Sequence, residues 1–262
     1  MSQAINTSGL TRTFGEFTAV DRLDLTVEAG GFFGFLGPNG AGKSTTIKML
    51  TGLLRISNGR AEVLGYDIEQ QPVAVKQRIG VLPEELALFD RLTAREYLDF
   101  VGRMYGMRRR VIRSRSEELL ELMDLGGERK KQVVDFSHGM KKKLALCAAL
   151  IHQPRLLFLD EPFEGIDAVA SRLIKDLLAQ LVSAGVTIFL TSHILEIVEK
   201  LCDHIAIIHQ GRLVAQGDLE TLRGGVALEN GDAGARVSLE ELFLSLVEGG
   251  EEHQKPTLSW LG

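Results

Sequence analysis

Cysteine and tryptophan are scarce in this sequence: it has two cysteines and one tryptophan among 262 residues. Neither Cys147 nor Cys202 belongs to a CxxC pair, which argues against a disulfide framework or a zinc site and fits a reducing compartment. We expect both thiols to pack in the core. The longest uninterrupted apolar run, residues 144–151, is far shorter than the ~18 residues that indicate a membrane-spanning helix. A signal peptide's basic flank and apolar run are also missing at the start, so the chain is not expected to cross a membrane.

A strong charge of one sign is missing too. The sequence has 30 Lys and Arg against 35 Asp and Glu, a net charge of -5, so no nucleic-acid partner is expected on electrostatic grounds. Its 45% hydrophobic and 25% charged content is ordinary for a globular protein. A chain of this length can form one α/β domain with a smaller lobe.

Short apolar runs of strand length alternate with longer segments of helical pattern, which predicts an α/β fold with a mostly parallel sheet flanked by helices. Three runs matter most: Phe32–Leu36, Leu156–Leu159 and Val186–Leu190. A Gly-rich turn follows the first, two acids follow the second, and Thr-Ser-His follows the third. Because ligands of such sheets bind at the carboxyl ends of strands, residues after these runs are expected to meet one ligand.

A helical lobe is predicted in the middle of the chain, where Thr93 and Glu96 form a capping-box pattern before an apolar periodic run. Later, residues 205–215 read as a hairpin. The Gly-rich stretch 224–235 predicts a linker to an amphipathic helix that Ser238 and Glu241 would cap. The predicted organisation is residues 1–84 for the first part of the core, 85–136 for the helical lobe, 137–222 for the rest of the core, and 223–262 for the linker and last helix.

The segment GPNGAGKST has the spacing of a phosphate-binding loop, G-x-x-x-x-G-K-[ST], and lies between a strand and a helical run. Glycines let backbone N–H groups face the phosphates, the lysine reaches the β and γ phosphates, and the serine hydroxyl can bind Mg²⁺. A Gly-rich turn without a ligand is the alternative, and the flanking strand and helix argue against it. The predicted nucleotide-binding residues are Gly37, Pro38, Asn39, Gly40, Ala41, Gly42, Lys43, Ser44 and Thr45.

Two acids and a histidine follow the other strands. Asp160 and Glu161 are adjacent, so strand alternation gives their carboxylates different directions and separate tasks. We expect Asp160 to organise Mg²⁺ together with Ser44, and Glu161 to orient or deprotonate the attacking water. His193 would bond to the γ-phosphate and sense its presence. A structural histidine and an ordinary acidic strand end are the alternatives for these residues taken alone.

The order of five motifs resembles the ATPase subunits of ABC transporters, over residues 5–220 at least. The motifs are GPNGAGKST, FSHGM at 136–140, LLFLDEP at 156–162, GID at 165–167 and TSH at 191–193. The resemblance implies the ABC ATPase fold, a phosphate-loop NTPase with an N-terminal antiparallel β portion and a helical lobe. It also implies ATP with Mg²⁺ as the cofactor.

Further roles come from this resemblance residue by residue. Ser137 and Gly139 of the signature segment would contact ATP held by the opposite subunit, and Asp167 would couple the two sites of the dimer. Phe14 is similar to the aromatic residue that stacks on adenine. Glu84 stands where the family usually has a glutamine that binds Mg²⁺, and His138 and Met140 replace the usual Gly and Gln of the signature. The lysines at 141–143 are predicted to form a solvated helix face.

The resemblance implies an ATP-hydrolysing dimer, with a second copy or a related ATPase, that drives transport through separate transmembrane permease subunits. The chain would then be cytoplasmic and peripheral on the inner face of the cell membrane, and the VLPEE, SHGMK and LEELFLSL segments look most like bacterial exporters. The alternative is a soluble ABC-type ATPase acting on ribosomes or DNA, but no second cassette or long coiled coil is present. A GTPase or small-molecule kinase with the same loop is a third possibility. No Asn is followed by Lys, so the NKxD guanine reader is missing, which favours ATP or a relaxed base preference.

Overall fold

Two β-sheets and their helices make up the fold. The computed structural model describes residues 2–128, 130–229 and 238–248. The strands are β1 Gln3–Phe14, β2 Phe17–Leu23, β3 Thr26–Glu28, β4 Phe32–Leu36, β5 Asn58–Val63, β6 Tyr66–Asp67, β7 Ile79–Leu82, β8 Leu156–Asp160, β9 Thr187–Thr191, β10 His204–His209 and β11 Arg212–Asp218. The helices are α1 Lys43–Leu50, α2 Pro72–Lys76, α3 Ala94–Met104, α4 Arg109–Leu122, α5 His138–Leu150, α6 Ala168–Ser183, α7 Leu195–Leu201, α8 Leu219–Glu229 and α9 Leu239–Glu248.

The larger sheet has the strand order β11-β10-β4-β9-β8-β7. Strands β7, β8, β9, β4 and β10 pair in parallel, and only β11 runs antiparallel, to β10. Strands β8 and β9 are buried along their whole length, as a sheet covered on both faces requires. The prediction of a mostly parallel sheet flanked by helices is confirmed. Since β4, β8 and β9 are neighbours, the residues after them meet at one edge of the sheet.

The second sheet is antiparallel and lies at the N-terminal end of the chain. Strand β1 pairs with β2, β3 and β5, and β5 pairs with β6, all antiparallel. The apolar residues of this sheet form a core with the phosphate-loop helix, in which Ile5 and Leu10 pack near Ile47 and Met49. The predicted antiparallel β portion is therefore present, and it supports one side of helix α1.

Helices α3, α4 and α5 pack against one another in the middle of the chain. The capping box of α3 is confirmed: Thr93 N–H donates to Oε2 of Glu96 at 2.8 Å, and Glu96 N–H donates to Oγ1 of Thr93 at 3.3 Å. The buried side of α3 is formed by Ala94 and Leu98. Helix α5 also touches β7 of the parallel sheet, so it connects the helical region with that sheet.

The predicted hairpin near the end is confirmed as β10 and β11, with Gln210 and Gly211 at φ 48° and 77° in the turn. The predicted linker is wrong over its first residues, because α8 continues to Glu229; residues 230–235 lie outside the described part. Helix α9 has the predicted cap, since Ser238 N–H donates to Oε2 of Glu241 at 2.9 Å.

Both thiols pack in the core as expected, and burial raises the pKa of Cys147 to about 12. Among the helices of the described residues, none is both long enough and apolar enough to span a membrane.

Candidate active site

The phosphate-binding loop connects β4 with α1 at the carboxyl edge of the parallel sheet. Helix α1 begins at Lys43 directly after Gly42, so the free N–H groups of its first turn face the loop. The ammonium of Lys43 is buried and donates to the carbonyl oxygens of Gly37 at 2.8 Å and Pro38 at 3.2 Å. The loop therefore closes around the lysine, and its backbone N–H groups and ammonium form one positive surface.

Glycine is required at position 42 of this loop. Gly42 has φ 107°, in the left-handed region that L side chains rarely adopt, and an added Cβ would stand 2.6 Å from the carbonyl oxygen of Ala19. A side chain here would push helix α1 away from the hairpin of β1 and β2. The glycine thus sets both the loop conformation and the close approach of the antiparallel sheet.

Asp160 and Thr191 lie next to each other at the ends of β8 and β9. The hydroxyl of Thr191 donates to Oδ1 of Asp160 at 2.6 Å and accepts the N–H of Glu161 at 3.1 Å. Both Asp160 and Thr191 are buried. The Thr191 hydroxyl therefore fixes the Asp160 carboxylate and also the backbone N–H of Glu161, where the next turn begins.

Glu161 and His193 are in direct contact in the site. Nδ1 of His193 lies 2.9 Å from Oε2 of Glu161, and the His193 backbone N–H donates to the same oxygen at 3.2 Å. Glu161 is only 6% exposed and has φ 49°. Burial raises the pKa of its carboxyl group, and the neighbouring His193 and Lys43 oppose this shift. A carboxylate held in this way can accept a proton from a bound water.

Glu84 follows β7 and faces the phosphate loop. Its Oε2 accepts a hydrogen bond of 3.5 Å from the hydroxyl of Ser44. Within the described residues, no group of three or more His, Cys, Asp and Glu side chains is placed to hold a metal ion. Ser44, Glu84 and Asp160 nevertheless border the same cavity and offer only oxygen atoms, the ligand type that Mg²⁺ prefers.

These predicted residues share one cavity of about 590 Å³. It extends from the phosphate loop to the ends of β7, β8 and β9, and the tip of the β1–β2 hairpin forms its far wall. Its lining residues are Phe17, Ala19, Asn39, Gly40, Gly42, Lys43, Ser44, Thr45, Glu84, Asp160, Glu161, Glu164 and His193.

Seven predicted site residues do not line this cavity: Gly37, Pro38 and Ala41 of the phosphate loop, and Phe14, Ser137, Gly139 and Asp167. Phe14 pairs with Phe17 across the hairpin and has the guanidinium of Arg12 over its ring at 4.3 Å. Ser137 caps α5, where its Oγ accepts the N–H of Met140 at 3.2 Å, and Gly139 lies in the first turn of the same helix. Asp167 caps α6 by accepting the N–H of Ala170 at 2.8 Å, which lowers the pKa of its carboxyl group.

One lysine of the signature helix differs from the prediction of a solvated face. Lys142 is only 1% exposed, whereas its neighbours Lys141 and Lys143 are partly exposed. Its ammonium donates to the carbonyl oxygens of Glu161 at 2.6 Å and Glu164 at 2.7 Å. Sequence reasoning also missed Thr191 and Phe17. Residues 144–150 are apolar on every side of α5, so helical period does not distinguish Lys142 from its two neighbours. Its burial comes from contacts with the turn after β8.

Comparison with known proteins decides the family. A family model described as ABC transporter matches residues 20–164, more than half of the chain. The chain belongs to the ABC transporter family. The solved structure described as the ATP-binding subunit of an ABC transporter superposes with a TM-score of 0.84 at 30% identity, covering 93% of this chain and 99% of that one. The ABC ATPase fold predicted from the sequence is confirmed, and the chain is an ATPase of this family.

Resistance proteins are among the relatives of this ABC ATPase. It is 42% identical over 228 residues to the linearmycin resistance ATP-binding protein LnrL of Bacillus subtilis (strain 168), covering 86% of this chain and 72% of the relative. It is 39% identical over 247 residues to the daunorubicin/doxorubicin resistance ATP-binding protein DrrA of Streptomyces peucetius, covering 92% and 75%. The bacitracin transport ATP-binding protein BcrA of Bacillus licheniformis is 39% identical over 224 residues, covering 85% and 72%.

Proposed function

We propose that this ABC ATPase binds ATP with Mg²⁺ in the cavity at the phosphate loop and uses its hydrolysis to drive export through a separate transmembrane permease. The observation that carries the proposal is the meeting of Lys43, Asp160, Glu161 and His193 around one cavity. A volume of about 590 Å³ is within the usual range of small-molecule sites.

The triphosphate would lie against the loop from Gly37 to Thr45. Backbone N–H groups and the start of α1 supply fixed positive dipoles, and Lys43 supplies a full charge for the β and γ phosphates. Adenine would extend toward the β1–β2 hairpin, where Phe14 is the proposed stacking residue. Its ring is 45% exposed, so part of it is open to a ligand.

Mg²⁺ would be held by Ser44 and Asp160 with phosphate oxygens and water, and Glu84 is the proposed additional ligand. These residues fit the ion, since the Ser44 hydroxyl and the Glu84 carboxylate are already in contact. Few protein ligands are needed, because Mg²⁺ usually takes several of its oxygen ligands from water and phosphate. When bound, the ion neutralises charge on the phosphates during transfer. A carboxylate in place of the family's usual amide adds one negative charge at this point.

Glu161 would orient the attacking water and accept its proton as the water oxygen bonds to the γ-phosphorus. The bond from the γ-phosphorus to the bridging oxygen breaks, and that oxygen leaves with ADP. The raised pKa of its buried carboxyl group makes it a better base than an exposed glutamate at neutral pH. His193 holds one carboxylate oxygen and would contact the γ-phosphate with its other ring nitrogen, Nε2. This arrangement connects the presence of the γ-phosphate with the position of the base.

A second subunit would complete the site. Ser137 and Gly139 lie at the start of α5 and do not line their own chain's cavity. A helix N-terminus binds anions through its free N–H groups, so in a two-fold dimer each signature helix would face the ATP of the other copy. Asp167, at the start of α6, is proposed to couple the two sites.

The permease would dock in a groove between the helical region and the parallel sheet. This groove of about 370 Å³ is mostly apolar and is lined among others by Leu53, Pro83, Tyr97 and Val101. Leu53 is 67% exposed, and Pro83 directly precedes Glu84. A permease segment seated here would therefore contact the chain next to the ATP site, which would place the ATPase on the inner face of the membrane. Relatives named for drug resistance support an exporter.

Co-purification from membranes tests this proposal. We expect the tagged chain, extracted in detergent from its native cells, to carry a polytopic membrane protein, and Leu53→Asp to lose most of it. Leu244→Asp is the matched control, since Leu244 is also exposed but lies on α9. Equal recovery with both variants would contradict the docking groove. Recovery of ribosomes or DNA in place of a membrane protein would favour the soluble alternative.

A further inference from the structure

Glu161 occupies a backbone conformation that its neighbours must hold in place. Its φ of 49° is in the left-handed region, which is unfavourable for a residue with a side chain. Such a conformation persists where surrounding contacts fix it. The contacts here are the Thr191 hydroxyl on the Glu161 N–H, the His193 contacts on its carboxylate, and the Lys142 ammonium on its carbonyl oxygen.

Of these contacts, the one from Lys142 comes from helix α5, whereas Thr191 and His193 lie at or just after the end of β9. Its ammonium donates to the carbonyl oxygens of Glu161 at 2.6 Å and Glu164 at 2.7 Å. The N–H of Glu164 also donates to the Glu161 carbonyl oxygen, at 3.3 Å. These bonds close the turn from Glu161 to Glu164 on itself. Without the ammonium, the Glu161 carbonyl oxygen would keep the longer bond from the Glu164 N–H, and the Glu164 carbonyl oxygen would lose its bond to Lys142.

The burial of Lys142 is costly without a compensating partner, because a cation loses its hydration inside a protein. Burial lowers the pKa of Lys142, while the negative charges of Glu164 and Glu161 act in the opposite direction. A leucine or methionine would fill this position on α5 without that cost. Compared with these apolar residues, Lys142 adds two hydrogen bonds, to the carbonyl oxygens of Glu161 and Glu164.

Helix α5 connects Lys142 with the signature segment. Lys142 is five residues after Ser137, or about 7.5 Å along the helix axis. The same rigid helix thus carries at its start the residues proposed to contact the ATP of the other subunit, and in its second turn the amine that touches the Glu161 backbone.

We propose that Lys142 is a positioning residue for hydrolysis: its ammonium fixes the Glu161–Glu164 turn against the signature helix and so sets where the Glu161 carboxylate stands. This inference rests on the role proposed above for Glu161. Lys142 touches neither water nor nucleotide in this scheme, so its loss should act on kcat and leave ATP affinity unchanged.

Steady-state phosphate release and ATP titration calorimetry test the inference. We expect Lys142→Met to lower kcat by at least about tenfold with the Kd for ATP within about twofold of the original. Lys143→Met, on the next position of the same helix and partly exposed, should keep the original kcat. If Lys142→Met hydrolyses ATP at the original rate, the inference is wrong. If Glu161→Gln is nevertheless slow in the same assay, the role proposed for Glu161 still holds, so the two failures can be told apart.

A double-mutant cycle separates positioning of Glu161 from a general structural effect. If Lys142 acts through the Glu161 carboxylate, adding Lys142→Met to Glu161→Gln should lower the residual rate no further. Losses that multiply would contradict this. Should Lys142→Met unfold, the pair Lys142→Arg and Lys142→Gln carries the test: Arg, which keeps a charged donor, should retain the higher kcat at equal Kd, and equal rates would overturn the inference.

Discussion

Oε2 of Glu161 accepts two contacts from one residue, His193: the ring Nδ1 at 2.9 Å and the backbone N–H at 3.2 Å. The imidazole is half exposed while the carboxylate is buried, so the histidine connects the interior of the site with the cavity. Burial raises the pKa of Glu161 and His193 lowers it. Two opposing effects therefore set the pKa of the proposed base, and the effect of the His193 ring can be removed by mutation.

Replacing Glu161 by Gln removes the proposed base and keeps the size of the side chain. We expect kcat to fall by at least about 10²-fold, because an amide cannot accept the proton of the attacking water. ATP affinity should stay unchanged in calorimetry, since Lys43 and the loop remain. Glu118→Gln, an exposed acid on α4, is the control. Unchanged steady-state hydrolysis by Glu161→Gln would refute the role.

Replacing His193 by Ala should shift the acidic side, or limb, of the pH profile of kcat. Glu161 must be deprotonated to act as a base, so the rate falls as pH drops through its pKa. His193 lowers that pKa, and its removal should therefore shift the limb of kcat to higher pH. Phosphate release measured across pH checks this. A limb that stays in place, or moves to lower pH, would contradict the electrostatic role of His193.

Replacing Lys43 by Ala should weaken nucleotide binding. The ammonium is the one charge of the loop that can reach the β and γ phosphates, and a charged hydrogen bond of this kind contributes about 1.5–3 kcal/mol. We expect the Kd for ATP to rise at least about tenfold in calorimetry. Lys48→Ala, exposed on the same helix α1, should keep the original affinity. Wild-type affinity of Lys43→Ala would count against the phosphate-loop assignment.

The sequence was sufficient for the parallel sheet and for the strand ends that carry the phosphate loop, Asp160 and His193, because buried strands and Gly-rich turns are local patterns. The α9 cap was predictable for the same reason, since Ser238 and Glu241 are three residues apart. Local pattern also misled: glycines at 224 and 225 predicted a linker, yet α8 includes them.

What stayed hidden depends on contacts between distant segments. Lys142 reads as one of three similar lysines, and only the packing of α5 against the turn after β8, 19 residues away in sequence, buries it. Thr191 meets Asp160 only because β9 pairs with β8 in a given register. Phe17 lines the cavity from the start of β2, next to the β1–β2 turn, a position that follows from the fold of the hairpin over the phosphate loop. Motif spacing within one segment contains none of this information.

Two aromatic residues are candidates for stacking on adenine. Phe14 is the predicted stacking residue, while Phe17 lines the cavity. Loss of the stacking ring should raise the Kd for ATP and leave the affinity for inorganic triphosphate unchanged, because triphosphate has no base to stack. We expect this pattern for Phe14→Ala in competition binding. If Phe17→Ala shows it and Phe14→Ala does not, Phe17 is the stacking residue.

The position of Ser137 away from its own cavity makes the dimer testable by mixing two damaged copies. Ser137→Asp keeps a good helix cap but adds a negative charge where a phosphate would lie, and Lys43→Ala damages the loop. In a two-fold dimer, one site of a mixed pair combines both changes and the other has neither. Mixing the copies should therefore restore up to about a quarter of the original activity, because half of the pairs are mixed and each has one intact site.

Ser137→Asn, a neutral cap, serves as control for helix stability and should be the more active single variant. If mixed preparations stay as inactive as the separate ones, then Ser137 acts on its own chain or not at all, and the dimeric site is wrong.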